Sequence, residues 1–142
     1  MRRLLLVVEG QTAEGFVKDC LAPHLLGFGI AAAPIVVETS REESGVKRRG
    51  GGDWTKWKRN IAVVLPKRRD PEVRVSTLFD LYGLPRNFPE REQLVAIRDT
   101  EHRADQVQAR IAHELGDDPR LIPCVQRHEF EALVLAALDD LA

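Results

Sequence analysis

The sequence predicts an α/β protein with a mostly parallel four-stranded sheet and helices on both faces. Short apolar runs alternate along the chain with segments whose apolar residues recur at helical spacing. The first run, residues 3–8, is apolar from Leu4 onward, as in a strand covered on both faces of a parallel sheet. Repetition of this strand-helix order over 142 residues predicts one doubly wound domain.

The first strand, at residues 3–8, is expected to lead into a helix. Thr12 is expected to be its N-cap, because a threonine side chain accepts hydrogen bonds from the first turn. Pro23 is expected to interrupt or restart this helix, which ends near Gly27. A second strand is predicted at residues 33–38.

A basic, glycine-rich loop is predicted at residues 39–52, before a second helical segment. Asp53 is the expected cap of that helix. The apolar residues that follow recur at helical spacing and predict one buried stripe, made up of Trp54, Trp57, Ile61, Val64 and Leu65.

The second half repeats the alternation. Strands are predicted at residues 73–79 and 121–126, with helical sequence between them. Pro89 suits the first position of that helix, and the apolar pattern loosens near Asp99, so one helix or two shorter ones are compatible with it. A last helix is predicted from His128 onward.

The charge of the chain is unevenly distributed, although the net charge is only −1. Residues 41–69 are basic and the chain is acidic from Asp70 onward. This layout fits a loop that faces a polyanion on a metal-binding body, and it fits solvated helix faces equally well.

Other features bear on location and extent. No apolar run approaches the ~20 residues that a membrane span needs, and the apolar start lacks a signal-peptide cleavage site, which predicts a cytoplasmic protein. Cys20 and Cys124 lie in apolar contexts and are expected to be buried, reduced thiols. The sequence ends inside an apolar-faced helix, so residues 1–142 are expected to be a single domain without its C-terminal continuation.

Acidic side chains follow three of the predicted strands. Glu9 comes directly after the first strand, Asp80 after the third, and His128, Glu129 and Glu131 after the fourth. Ligands bind at the carboxyl ends of strands in open α/β sheets, where clustered carboxylates repel unless a cation neutralises them. Hard oxygen donors suit Mg²⁺, Mn²⁺ or Ca²⁺.

The last of these clusters allows two arrangements. If residues 128–131 are all helical, Glu129 and Glu131 lie about 200° apart and cannot share a metal, whereas His128 and Glu131 share a face. If the helix begins only at Phe130, Glu129 can point toward Glu9 and Asp80. His128 fits a capping or packing role as well as a ligand role.

Three consecutive basic residues mark the glycine-rich loop. Lys47, Arg48 and Arg49 precede Gly50, Gly51 and Gly52 and can contact a phosphate backbone. An ordinary basic surface loop has the same composition.

Four motifs, which together span nearly the whole chain, resemble a known bacterial family. They are VEGQT at residues 8–12, LAPHL at 21–25, TLFDLYGLP at 77–85 and HEFEAL at 128–133. The family is the domain of unknown function 4276, regarded as Toprim-like and related to the nuclease domains of overcoming-lysogenization-defect proteins.

This resemblance implies a fold and a site. The Toprim fold implies a Glu after the first strand as general acid/base and an Asp-x-Asp after a later strand that holds Mg²⁺. Glu9 matches the first and Asp80 the leading Asp of the second, but Tyr82 replaces the second Asp. The third ligand is left open, with Glu129 or Glu131 as candidates.

Two functions follow as hypotheses. The first is a Mg²⁺- or Mn²⁺-dependent nuclease, which the family context places in antiphage or mobile-element defence beside a partner ATPase. Asp80 with Glu129 or Glu131 holds the metal, Glu9 moves the proton, and Lys47, Arg48 and Arg49 position the backbone. The second is a non-catalytic Toprim-like module that binds a partner ATPase or nucleic acid. A phosphohydrolase or transferase acting on a small nucleotide would use the same ligands.

Overall fold

The computed structural model describes residues 1–37, 53–65 and 70–127. Strands and helices alternate along these residues, as the sequence pattern predicts. The strands are β1 (Arg2–Val8), β2 (Ile30–Val36), β3 (Val73–Asp80), β4 (Leu121–Ile122) and β5 (Val125–Gln126). The helices are α1 (Gly10–Phe16), a π-helical segment (Val17–Leu21), α2 (Ala22–Leu26), α3 (Trp54–Val64), a short 3₁₀ helix (Leu81–Gly83), α4 (Arg91–Val95) and α5 (Thr100–Glu114).

The strands form one sheet in the order β2-β1-β3-β4, with β5 also beside β3. Every strand pair is parallel. The predicted α/β class and parallel sheet are therefore confirmed. The predicted fourth strand is broken at Pro123 and Cys124 into β4 and β5, because a proline has no N–H to donate to the ladder.

Helices cover both faces of the sheet. On one face, strand residues such as Val7, Val75 and Phe79 pack against α3 and α5 in the larger apolar cluster. On the other face, Leu6 and Val8 pack against the α1 segment in a smaller cluster. The alternation of side chains along β1 and β3 sends successive residues to opposite clusters.

The first helical segment differs from its prediction at both ends of α1. It begins at Gly10 rather than after Thr12, because Gly10 adopts a φ of +83° that turns the chain directly out of β1. The segment then widens into a π-helical stretch before α2, which has Pro23 in its first turn. Proline has no N–H to donate to the carbonyl of the preceding turn, and its ring would clash with that carbonyl. The wider π-helical turn gives the ring of Pro23 the space it needs.

The predicted cap of α3 is confirmed. Asp53 accepts a hydrogen bond of 2.9 Å from the backbone N–H of Thr55 and one of 2.7 Å from the side-chain amide of Asn87. The bonds from Asn87 and Thr55 lower the pKa of Asp53 below its ordinary value of 3.8.

The sequence after Pro89 forms two helices, α4 and α5, which is one of the two arrangements that the apolar pattern allowed. Asp99 caps α5.

Strand β2 lies at one end of the sheet order within the described residues. The N–H of Val37 donates to the Val8 carbonyl of β1, so the N–H groups at alternate positions, including that of Ile35, face β1. Pro34 is therefore at a position whose backbone nitrogen faces the open side of β2. A proline at such a position removes a donor that another strand would use.

The predictions about the cysteines, a membrane span and the basic and C-terminal segments have separate outcomes. Both cysteines are exposed, so their predicted burial is wrong: Cys20 lies on the outer side of the π-helical segment and Cys124 at the break between β4 and β5. Within the described ranges no helix is long and apolar enough to cross a membrane. The basic residues Lys47, Arg48 and Arg49 and the predicted last helix with His128, Glu129 and Glu131 lie outside the described residues.

Candidate functional site

The chain reverses its winding direction between β1 and β3. From β1 it passes through α1 and α2 to β2 on one side, and from β3 it passes through α4 and α5 to β4 on the other side. The two connections lie on opposite faces of the sheet. Such a point opens a crevice beyond the carboxyl ends of the two strands, where open α/β proteins bind their ligands.

Two of the predicted site residues lie at this switch point. Val8 is paired with Leu78, so β1 and β3 end nearly in step. Glu9 follows β1 directly and Asp80 is the last residue of β3. The structure therefore brings together the ends of two strands that are far apart in the sequence, each carrying a carboxylate.

Glu9 is half-buried at the N-cap position of α1. Its backbone is extended, with φ −106° and ψ 117°, and its side chain makes no capping hydrogen bond to the helix. A glutamate side chain is one methylene longer than the aspartate that usually caps a helix, and the φ of Gly10 sets the exit of the chain instead. The Glu9 side chain therefore does not cap α1.

Asp80 is also half-buried and caps the 3₁₀ helix that follows β3. Its Oδ1 accepts a hydrogen bond of 3.0 Å from the backbone N–H of Tyr82. This bond fixes the carboxylate in one orientation at the strand end. The Tyr82 side chain is 57% exposed.

An aromatic stack supports the strand next to Asp80. The ring of Trp57 lies parallel to that of Phe79, with centroids 3.8 Å apart and an interplanar angle of 9°. Both side chains are fully buried in the larger apolar cluster. Because Phe79 precedes Asp80, this contact holds the end of β3 on a rigid base.

Side-chain hydrogen bonds hold the broken fourth strand beside β3. The Thr77 hydroxyl donates to the carbonyl of Cys124 at 2.8 Å and accepts from its N–H at 3.0 Å, and it is fully buried. The Ser76 hydroxyl donates to the Ile122 carbonyl at 2.7 Å, and the Gln108 side chain accepts from the N–H of Val125 at 3.1 Å. These bonds replace the ladder contacts that are lost at the break.

The result is a third strand end beside Asp80. β5 pairs with β3, so that Val125 lies opposite Phe79 and Gln126 lies opposite Asp80. Gln126 is half-buried, and its Nε2 atom is buried without a hydrogen-bond partner. Gln126 does not stand out in the sequence, because a glutamine before Arg127 has the pattern of a solvated strand end.

The described part of the chain holds two of the five predicted metal ligands. Among residues 1–37, 53–65 and 70–127, no group of three or more His, Cys, Asp or Glu side chains could hold a metal ion. Glu9 and Asp80 lie at the ends of the adjacent strands β1 and β3, with Glu9 level with Phe79 by the strand register. The predicted roles of His128, Glu129 and Glu131 stay predictions.

Cys124, close to this edge, lacks the properties of a nucleophile. Although the residue is exposed, partial burial of its thiol raises the pKa above the ordinary value of 9.0. A thiol with a raised pKa is protonated at neutral pH, and thiolates are the reactive form. Cys124 is therefore not a candidate nucleophile, and the candidate groups at this edge are the carboxylates.

A depression of about 250 Å³ lies elsewhere, between α4 and α5. It is lined by six residues that include the ion pair of Glu90 with Arg110, and neither Glu9 nor Asp80 is among them. It gives no support to a ligand site at the strand ends.

The fold and this edge define an open, parallel α/β protein with carboxylates at the point where the sheet reverses its winding. The family model for the domain of unknown function (DUF4276) matches residues 8–142. The chain belongs to this family. No curated protein and no solved structure shows significant similarity to it.

Proposed function

We propose that the protein is a Mg²⁺- or Mn²⁺-dependent phosphodiesterase of the Toprim-like type that acts on nucleic acid. The observation that carries the proposal is the placement of Glu9 and Asp80 at the ends of adjacent parallel strands, at the switch point of the sheet. A role of the protein in antiphage or mobile-element defence, beside a partner ATPase, stays a prediction from the family resemblance.

The donor chemistry fits Mg²⁺. This ion keeps several waters and is held in phosphate-handling enzymes by one or two carboxylates together with substrate phosphates. Asp80 is oriented through Oδ1, the one of its two oxygens that accepts from Tyr82. Asp80 would hold the metal with Glu129 or Glu131, and Glu9 would move the proton or serve as a further ligand. When bound, the metal polarises the phosphate and lowers the pKa of a bound water.

Chain length supports Glu129 and Glu131 as candidates. Gln126 is paired with Asp80, and Glu129 follows three residues later. Three extended residues span at most about 11 Å, so the chain keeps Glu129 within reach of this edge.

A cation beside the edge supports an anionic substrate. Arg127 follows Gln126 and pairs with Glu101 of α5 at 2.8 Å. Both side chains are largely exposed, and exposed ion pairs contribute about 0–1 kcal/mol, so a phosphate can replace the glutamate at little cost. Lys47, Arg48 and Arg49 would add further phosphate contacts.

The first experiment is a thermal melt with and without millimolar Mg²⁺ and Mn²⁺. The variants are Asp80→Asn and Glu9→Gln. An amide oxygen still accepts from the Tyr82 N–H, so Asp80→Asn removes charge from the site while retaining the cap. We expect the metal to raise the melting temperature of the wild type and not that of Asp80→Asn, with a smaller response for Glu9→Gln.

Asp70→Asn is the matched control. Asp70 lies before β3, at the opposite end of the strand, and accepts from the Glu72 N–H at 2.9 Å in the same two-residue geometry. Its loss should leave the metal response unchanged. A wild type that melts at the same temperature with and without metal would refute the proposal.

The second candidate function is a non-catalytic module that binds a partner protein or nucleic acid. The exposed phenol of Tyr82 favours it, since a metal-holding acid stands at this position in the Toprim pattern. This function predicts no metal response in the wild type. It also predicts that Asp80→Asn binds nucleic acid or the partner as tightly as the wild type does.

A further inference from the structure

Gln126 carries a buried hydrogen-bond donor that has no partner. Its Nε2 atom is one of two such side-chain atoms within the described residues. The other, Trp57 Nε1, lies in the larger apolar cluster. Gln126 is instead at the carboxyl edge of the sheet, paired with Asp80 of β3.

The strand register places Gln126 on the same side of the sheet as Asp80. The two residues are paired in parallel strands, and paired residues point to the same face. Adjacent strands lie about 4.8 Å apart. Val75 and Phe79 point into the larger cluster, so Asp80 and Gln126 both face the side of α1.

The two residues before Gln126 are held by side-chain hydrogen bonds. Thr77 bonds the backbone of Cys124, and Gln108 accepts from the N–H of Val125, the residue before Gln126. The unpartnered amide is therefore on a fixed element. A buried donor without a partner destabilises a fold, and such groups are rare in proteins unless they have a role.

We infer that Gln126 binds the phosphate of the substrate, with its side-chain N–H donating to an oxygen of the group that reacts beside Asp80. This inference rests on the proposed function. Two carboxylates at the edge repel a phosphate, and a neutral amide donor attracts an oxyanion without repelling a metal ion. Of the residues that the structure describes, Gln126 supplies a donor of this kind in register with Asp80.

The test compares Gln126→Met with Gln108→Met. Methionine keeps the length of the side chain and removes both the donor and the acceptor. Gln108 is the matched control, because its side chain accepts a backbone hydrogen bond one residue away and has a structural role. Each variant is melted with and without Mg²⁺. Each is also titrated with a short fluorescein-labelled single-stranded DNA carrying a terminal phosphate, with Ca²⁺ in place of Mg²⁺ to slow cleavage.

We expect opposite results for the two variants. Gln126→Met should bind the DNA about tenfold or more weakly, since a hydrogen bond to a charged group is lost. Its melting temperature without metal should rise by about 2–4 °C, since an unsatisfied buried donor is removed. Its metal response should match that of the wild type. Gln108→Met should melt at a lower temperature and bind the DNA as the wild type does.

The outcomes separate this inference from the proposed function. A wild type without a metal response refutes the proposed function, and the inference is refuted with it. A wild type that responds to metal, together with unchanged DNA affinity in Gln126→Met, refutes the inference alone. A Gln126→Met variant that loses stability as Gln108→Met does would show a structural glutamine and would also refute it.

Discussion

Replacing Thr77 with valine tests whether its hydroxyl holds the broken fourth strand. Valine has nearly the same shape, so Thr77→Val removes the hydroxyl without opening a cavity. In the wild type the Thr77 hydroxyl lies 3.0 Å from the N–H and 2.8 Å from the carbonyl of Cys124. The change leaves both of these backbone groups without a partner. Each unpaired, partly buried backbone group costs about 1–3 kcal/mol, so the free energy of unfolding should fall by about 2–4 kcal/mol. For a domain of this size the melting temperature should fall by about 5–15 °C.

The assay is urea unfolding followed by circular dichroism, with Thr77→Ser as the control. Serine keeps both hydrogen bonds and loses only a buried methyl group, which should lower stability by about 1 kcal/mol. The variants should therefore rank in the order wild type, Thr77→Ser, Thr77→Val. A Thr77→Val protein as stable as Thr77→Ser would refute the assigned role of the hydroxyl.

Three further predictions concern the edge strand, the first turn and acid stability. Pro34→Val should produce dimers or larger species in sedimentation velocity, because it adds an outward N–H to β2, whereas Ala33→Val, whose N–H faces β1, should stay at the wild-type size. Gly10→Ala should lower the free energy of unfolding by about 1–2 kcal/mol through its left-handed backbone alone, since an added Cβ would meet no atom within 4 Å. Gly15→Ala, in an equally open place but with a helical backbone, should instead raise stability by about 0.5–1 kcal/mol, and equal effects of the two changes in urea unfolding would contradict this reasoning. Asp53 has a lowered pKa in the folded state, so its contribution to stability is present above its ordinary value of 3.8 and is lost as the pH falls through the lowered one; Asp53→Asn should flatten this part of the acid-unfolding curve, and an unchanged curve would contradict the assignment.

The ends of β1 and β3 followed from the sequence, because burial on two faces leaves a clear apolar run, whereas β2 begins three residues earlier than predicted. β1 and β3 lie close to the predicted residues, so Glu9 and Asp80 could be recognised as strand-end carboxylates. Their adjacency could not be predicted, because the order of strands depends on which helices cover which face. The strand pairing in the structure shows that β1 and β3 are adjacent.

Other features depended on local backbone details that residue preferences do not capture. Thr12 looked like a helix cap, but the left-handed conformation of Gly10 starts the helix earlier. The break at Pro123 and its repair by Thr77 required tertiary contacts. Gln126 became informative only when its register with Asp80 and its unpartnered amide were known.

The central position of β1 and β3 also affects how the protein folds. β1 and β2 are joined by one helical connection and can pair early, since their contacts are close in sequence. β1 and β3 are separated in the sequence by β2 and α3, so their pairing closes a long loop. Such non-local pairing is slow. We expect the pairing that brings together the strand ends of Glu9 and Asp80 to be absent from early folding intermediates. Any activity that depends on both residues would then appear late in refolding, after most of the helical signal has returned.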